Sequence, residues 1–176
     1  MRDRTDPLRP GDPAAKHDYL AHVRVRHHEL DPLGHVNNAA YLNYLEQAAI
    51  DHAAVAGFPA DHLRDTYGAL FIARRHEVDY LRPALAANRL LVATWAVTFG
   101  GAQALRAYEI TRLPPNDPAA DPPRDALLPP DAIPANRGEI LVRARTLWAF
   151  VDVQTGRPRR LPPELRDAFL QPNARV

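Results

Sequence analysis

Hydrophobic and polar positions alternate along "DYLAHVRVRHHEL" (18–30). Leu20, His22, Arg24 and Arg26 fall on one face and Ala21, Val23 and Val25 on the other, the period of a strand. From Ala39 to Ala56 the period lengthens. Leu42, Leu45, Ala49, Ala53 and Ala56 recur at helical spacing, and Tyr41, Tyr44 and Ala48 widen the stripe. Asn37 or Asn38 can cap this helix, and Gly57 with Pro59 can stop it. Its many alanines allow close approach of another element and predict a well-buried rod, with Asn43, Gln47 and Asp51 on the wetter side. Four β-branched or aromatic runs follow at 68–83, 89–100, 102–112 and 138–153, punctuated by "GG" at 100–101 and "QTGR" at 154–157. The tail segment "LPPELRDAFL" reads as a short helix started by its prolines.

One long early helix followed by strands, without βαβ alternation, predicts an α+β fold. The expected sheet is about five-stranded, mostly antiparallel, and curved around the single helix. Residues 113–137 hold eight prolines in 25 positions, too many for a central strand, so they read as a long insertion between two strands. Residues 1–17 are expected to be a flexible leader, 18–170 the domain and 171–176 a tail.

Composition narrows the function classes. The 22 basic and 21 acidic residues leave a net charge of +1, which makes no electrostatic case for nucleic acid or a membrane surface as partner. Cysteine is absent, which removes disulfides, thiol nucleophiles and cysteine zinc sites. The first twenty residues lack the apolar segment of a signal peptide, and no run approaches a membrane span, so a soluble cytoplasmic protein is expected. "RHH" at 26–28 is not a ligand spacing and no H-E-x-x-H occurs, so no metal or other cofactor is expected.

The chemistry concentrates in "ELDPLGHVNNAAYLNYLEQA" (29–48), where Asp31, Gly34, His35, Asn37 and Asn38 precede the helix. The first turn of a helix offers unpartnered N–H groups and the positive end of the dipole, a setting that stabilises an oxyanion. Gly34 would let the chain turn sharply or let a substrate approach the backbone. Asp31 could attack a carbonyl to form a mixed anhydride, or act as general base on a water. It could equally be a plain turn residue, as Asp before Pro often is. His35 would orient water or the leaving group, or only brace the loop. Asn37 and Asn38 are most simply a cap and a brace, with substrate contact as the other reading. Glu46 would be a second carboxylate near the site or a partly buried ion-pair member, and Tyr41 and Tyr44 are packing residues or ligand contacts. Arg157, Arg159 and Arg160 form the strongest basic cluster, suited to phosphates if not simply solvated. The residues alone lead to acyl hydrolysis and no further.

The pattern D-x-x-G-H-V-N-N-x-x-Y-L-x-Y-L-E resembles hot-dog-fold acyl thioesterases of the 4-hydroxybenzoyl-CoA thioesterase type, and is also similar to acyl-carrier-protein thioesterases. The resemblance spans roughly residues 18–165, with "HEVDYLRPA" and "TGRPRRLPPEL" in support. It implies a hot-dog fold and an acyl-CoA thioesterase with Asp31 as catalytic carboxylate. The amide of Asn38 or Ala39 would bind the thioester oxygen, and His35 would lie beside the acid. Leu33 stands where the carrier-protein enzymes have asparagine, which favours acyl-CoA over acyl carrier protein. A non-catalytic acyl-binding module on the same fold is the alternative of another class. The resemblance also implies a homo-oligomer, a dimer or a dimer of dimers (homotetramer), with each site between two subunits.

Overall fold

The structure, a computed structural model, describes residues 16, 18–115, 127–128 and 138–171. Its strands are β1 (Asp18–Arg24), β2 (Ala69–Tyr80), β3 (Arg89–Gly100), β4 (Gln103–Arg112), β5 (Leu127–Leu128) and β6 (Glu139–Asp152). Its helices are α1 (Asn38–Val55), α2 (Ala60–Tyr67) and α3 (Pro163–Phe169). The strands form one sheet in the order β2-β6-β4-β3-β1-β5, every pair antiparallel. This is the antiparallel sheet and long helix that the sequence pattern predicts, and the hot-dog fold that the resemblance implies.

The central strand explains its own composition. "LLVATWAV" in β3 is buried on both faces, so polar alternation has no place in it. Leu90, Val92 and Ala96 face α1, whereas Ala93 and Trp95 join Ala107 in a small cluster on the opposite face. A bulge between Ala96 and Thr98 then shifts the phase and returns Phe99 to the α1 side. Further bulges, at Ala73/Arg75 in β2 and at Leu141 in β6 opposite Ile110/Thr111, add local twist to the sheet.

Helix α1 lies on the concave face. Tyr41, Tyr44, Leu45, Ala48, Ala49 and His52 are buried, with Leu45, Ala48 and His52 fully so, while Asn43 and Gln47 are exposed. The small Ala48 and Ala49 side chains let the rod sit close against the sheet, as its alanine content anticipates.

Three details depart from the sequence reading. The first strand ends at Arg24 rather than continuing to residue 30. Val25 bonds to Asn88 and Ala87, and residues His27–Glu29 coil into one 3-10 turn whose Glu29 carboxylate accepts from the Arg26 amide. The alternation is real, but a side chain that caps a turn competes with the ladder. Helix α2 has no counterpart in the sequence reading. It is charged, buries only Leu63 and spans eight residues, too few for an apolar stripe to repeat. Finally, Leu127–Leu128 within the insertion pair with β1 as a two-residue strand. The rest of that insertion, apart from 113–115, lies outside the described residues. So do the leader except Lys16 and the tail except Gln171. Lys16 itself donates its amide to Phe169 O (2.8 Å) and its ammonium to Asp167 O (3.1 Å), which ties it to α3. Among the described residues no helix is long and apolar enough to cross a membrane.

Candidate active site

Residues 30–37 form a loop closed from both ends. Leu30 and Val36 make an isolated antiparallel bridge, and the Asp31 amide donates to His35 O (2.7 Å). The Gly34 amide donates to Asp31 O (3.0 Å), and Gly34 turns with φ +77°. A side chain on Gly34 would meet nothing within 4 Å, so the glycine serves the left-handed backbone conformation and not a close approach. The loop is anchored to its neighbours as well: the Val36 amide bonds to Ala84 O, and the Asn37 amide to Glu29 O.

Asp31 is half-buried inside this loop. Its Oδ1 accepts from the amides of Leu33 (2.9 Å) and His35 (3.0 Å). The turn reading of Asp31 is therefore correct as geometry. It leaves Oδ2 without a hydrogen bond among the described residues, so one carboxylate oxygen fixes the loop and the other is available for chemistry. Leu33, at the tip, is 78% exposed.

Asn37 is the cap of α1. Its side chain accepts from the Ala39 amide (2.9 Å) and its backbone carbonyl from the Ala40 amide (2.9 Å). Of the two amides expected to bind an oxyanion, Ala39 is thus already occupied. The Asn38 amide forms no hydrogen bond among the described residues, which leaves it as the donor at the positive end of the helix. Asn38 is exposed, and its backbone carbonyl accepts from Tyr80 Oη (3.2 Å).

The remaining expected residues divide by position. His35 is half-buried; its backbone bridges Leu85, and its ring forms no hydrogen bond among the described residues, so the bracing is done by its main chain. Tyr41 is 2% exposed, accepts the Ala84 amide on its hydroxyl (3.0 Å) and packs on Tyr80. It supports the loop from beneath. Tyr44 donates to Glu29 Oε2 (2.8 Å), and burial together with that carboxylate pushes its phenol well above the ordinary range. Glu29 and Tyr80, which the sequence reading does not single out, are therefore supports of this site. Their only signal is proximity to the motif and to "HEVDYLRPA". Glu46 is exposed and forms no ion pair among the described residues, contrary to the ion-pair reading.

Arg157, Arg159 and Arg160 lie elsewhere in the chain. They follow β6, where Asp152 Oδ1 organises the turn by accepting from Gln154 and Thr155 and Arg159 reaches Asp152 Oδ2 (3.5 Å). Arg159 Nη1 also lies against Gly68, which precedes β2, while the Asp31 loop lies near Tyr80 at the end of β2. Eleven residue steps of strand separate these ends, roughly 35 Å. Within one chain the basic cluster and Asp31 do not meet. Among the described residues no group of three or more His, Asp or Glu side chains could hold a metal ion.

A cavity of about 170 Å³ opens beside the middle of α1, lined mainly by apolar side chains but also by Glu46 and Arg106. The sequence reading misses it, because its wall is assembled from all three helices and from strands β2, β3, β4 and β6.

Comparison with known proteins agrees with this fold. The chain is 27% identical over 149 residues to the long-chain acyl-CoA thioesterase FadM of Escherichia coli K12, covering 85% of this chain and 95% of that one. A thioesterase from Thermus thermophilus, solved with coenzyme A and zinc, superposes with a TM-score of 0.61 at 28% identity over 85% of this chain and 90% of that one. A 1,4-dihydroxy-2-naphthoyl-CoA thioesterase from Synechocystis shares the fold at a TM-score of 0.66 and 16% identity, over 86% of this chain and 94% of that one. The model of the thioesterase-like superfamily matches residues 25–169, and this chain belongs to that family.

Proposed function

We propose that the chain hydrolyses an acyl-CoA thioester to the free carboxylic acid and CoA, without a cofactor, at the Asp31 loop. The observation that carries this reading is a carboxylate fixed through Oδ1 by two amides of its own loop, immediately ahead of the N-terminus of an 18-residue helix. The thioester carbonyl would lie at the Asn38 amide, where developing negative charge meets an N–H donor and the helix dipole. Asp31 Oδ2 would then act in one of two ways. As nucleophile it displaces CoA thiolate and forms a mixed anhydride that water opens. As general base it takes a proton from water, hydroxide adds to the carbonyl, and CoA thiolate leaves and takes up that proton. Hydrolysis by the family, and the acyl-CoA substrates named for its relatives, support the same reaction here.

The test is thiol release from short, long and aromatic acyl-CoAs. Asp31→Asn keeps the Oδ1 acceptor that shapes the loop but removes the base, and is expected to lower kcat by at least about 100-fold. Retained activity in that variant would remove Asp31 from the chemistry. No release above background with any substrate would instead identify an acyl-binding module, and faster turnover of acyl carrier protein substrates would reassign the carrier. Single-turnover reaction in labelled water separates the two routes, since label enters Asp31 only through the anhydride.

The same reading includes pairing of two copies through β2. This strand ends the sheet, runs for 12 residues without proline, and leaves Ile72, Ala73, Arg74 and Arg75 exposed. So long an unpaired edge is a template for another strand. Antiparallel pairing of β2 with its copy about its midpoint would set the partner's basic cluster beside this chain's Tyr80 and Asp31 loop. The arginines would then meet the phosphates of a CoA whose thioester lies at Asn38.

A further inference from the structure

The cavity beside α1 has one feature an alkyl-binding pocket does not need. Arg106, on β4, is 5% exposed and lines it together with Ile50, Phe71, Phe99, Trp148 and Phe169. Both hydrogen bonds of its guanidinium among the described residues leave from Nη1, to His52 Nδ1 (2.7 Å) and Thr94 Oγ1 (3.2 Å). Phe169 lies under the guanidinium carbon at 5.5 Å. No carboxylate of the described residues pairs with it. Glu46 lines the same cavity but is exposed at its mouth and does not bond to Arg106. A dehydrated cation with no counter-charge is costly to a fold, and a planar fork with a free edge suits a carboxylate. The supports hold the fork in place: His52 is itself fully buried and clamped between the Tyr19 and Phe169 rings.

The cavity lies within reach of the Asp31 site. Asn38, Leu42, Glu46 and Ile50 follow one another at i, i+4 spacing and form a single ridge of α1. Eight to twelve residues of helix place the cavity roughly 12–18 Å from the Asn38 amide. Apolar cavities of about 150 Å³ hold a benzene ring, so about 170 Å³ accommodates the end of an acyl group but not a whole long chain.

We propose that this cavity is the distal acyl subsite and that Arg106 selects acyl groups ending in a carboxylate. The substrate class is then the mono-CoA thioester of a dicarboxylic acid, with the thioester at Asn38 and the free carboxylate on Arg106. This assignment rests on the thioesterase reading of the Asp31 loop, and Arg106 is its specificity-determining residue.

The experiment compares ω-carboxyacyl-CoAs with methyl-ended acyl-CoAs of matched length, in wild-type protein, Arg106→Lys and Arg106→Met. Wild-type kcat/KM is expected to favour the carboxylate-ended series at least tenfold at its best length. Arg106→Met should invert that preference while methyl-ended substrates lose less than threefold, and Arg106→Lys should retain a weaker preference. Binding of the free dicarboxylates to wild-type protein, followed by calorimetry, decides the matter independently of turnover and of whether the variants fold. Saturable binding of dicarboxylates over matched monocarboxylates supports the subsite even if no thioester is cleaved. A wild-type preference for methyl-ended substrates, or equal binding of both acid series, overturns it. A carboxylate preference that survives in folded Arg106→Met overturns the role of Arg106.

Discussion

At the scale of single residues, the site depends on polar groups that each serve two neighbours. Asp31 closes its turn with one oxygen and keeps the other open. Glu29 does the same for the loop and the helix: its Oε2 accepts from both the Arg26 amide (2.6 Å) and Tyr44 Oη (2.8 Å), and its backbone carbonyl accepts the Asn37 amide. The Tyr44 bond has a consequence for pH. Burial and the Glu29 carboxylate raise the folded-state pKa of Tyr44 above its ordinary value, so folding favours the protonated phenol. Stability from this bond is therefore complete below the unfolded pKa near 10 and is lost as the pH rises beyond it toward the folded value. Urea unfolding at pH 8 to 11 should show midpoints that fall above pH 10. Tyr44→Phe should be less stable at pH 8 by about 1 kcal/mol, the usual net value of such a bond, and should show a shallower decline. Equal slopes for the two proteins would mean that other tyrosines govern the alkaline limb.

At the scale of elements, legibility follows periodicity. Strands β3, β4 and β6 are legible to within a residue of their ends, because each is a sustained β-branched or aromatic run bounded by turn residues. Helix α1 is legible for the corresponding reason, its 3.6-residue stripe, and the motif before it locates the loop with Asp31 and the cap. What stays hidden is either too short for a period to repeat or assembled from distant residues. Helix α2 buries one residue, the turn at 27–29 depends on a Glu29 side chain, and the Arg106 cavity joins residues some 120 positions apart. The choice between Asn37 and Asn38 as cap is also beyond the pattern, since the two are the same residue type, and it matters chemically. By taking the Ala39 amide, Asn37 leaves the Asn38 amide at the helix entrance. Asn37→Ala should cost about 1 kcal/mol of stability through the lost cap. Asn37→Asp keeps the acceptor and suits the dipole, so its melting temperature should equal or exceed the wild type. Its kcat should nonetheless fall, because a second negative charge then lies beside the proposed oxyanion. Thermal melts and steady-state kinetics on the two variants separate cap from catalysis. An Asn37→Asp protein of unchanged kcat would place the oxyanion elsewhere.

At the scale of the whole molecule, one distance governs how a CoA can be held. The basic cluster after β6 and the Asp31 loop lie at opposite ends of β2, too far apart for one chain to offer both to one CoA. The proposed pairing of two copies through β2 would reverse the strand, so that each loop would receive its neighbour's arginines. This geometry makes a prediction that a single-chain site cannot imitate. Asp31→Asn alone should be inactive, and a chain carrying Arg157→Ala and Arg160→Ala should show a raised KM for acyl-CoA but an unaltered one for acyl-pantetheine, which lacks the nucleotide phosphates. The pair spares Arg159, whose contact with Asp152 holds the turn. Mixed dimers of the two variants, assembled by co-expression with two affinity tags, then hold one site with both defects and one with neither. They should recover about half of wild-type activity at wild-type KM. If loop and arginines served the same site from one chain, every site in the mixed dimer would keep one defect, and the wild-type KM would not return. Ile72→Asp, which sets a charge on the exposed middle of β2, should lower the solution mass toward the 19.6 kDa monomer and remove activity with it. A monomer that remains fully active toward acyl-CoA would refute the shared site while leaving Asp31 as its catalytic group.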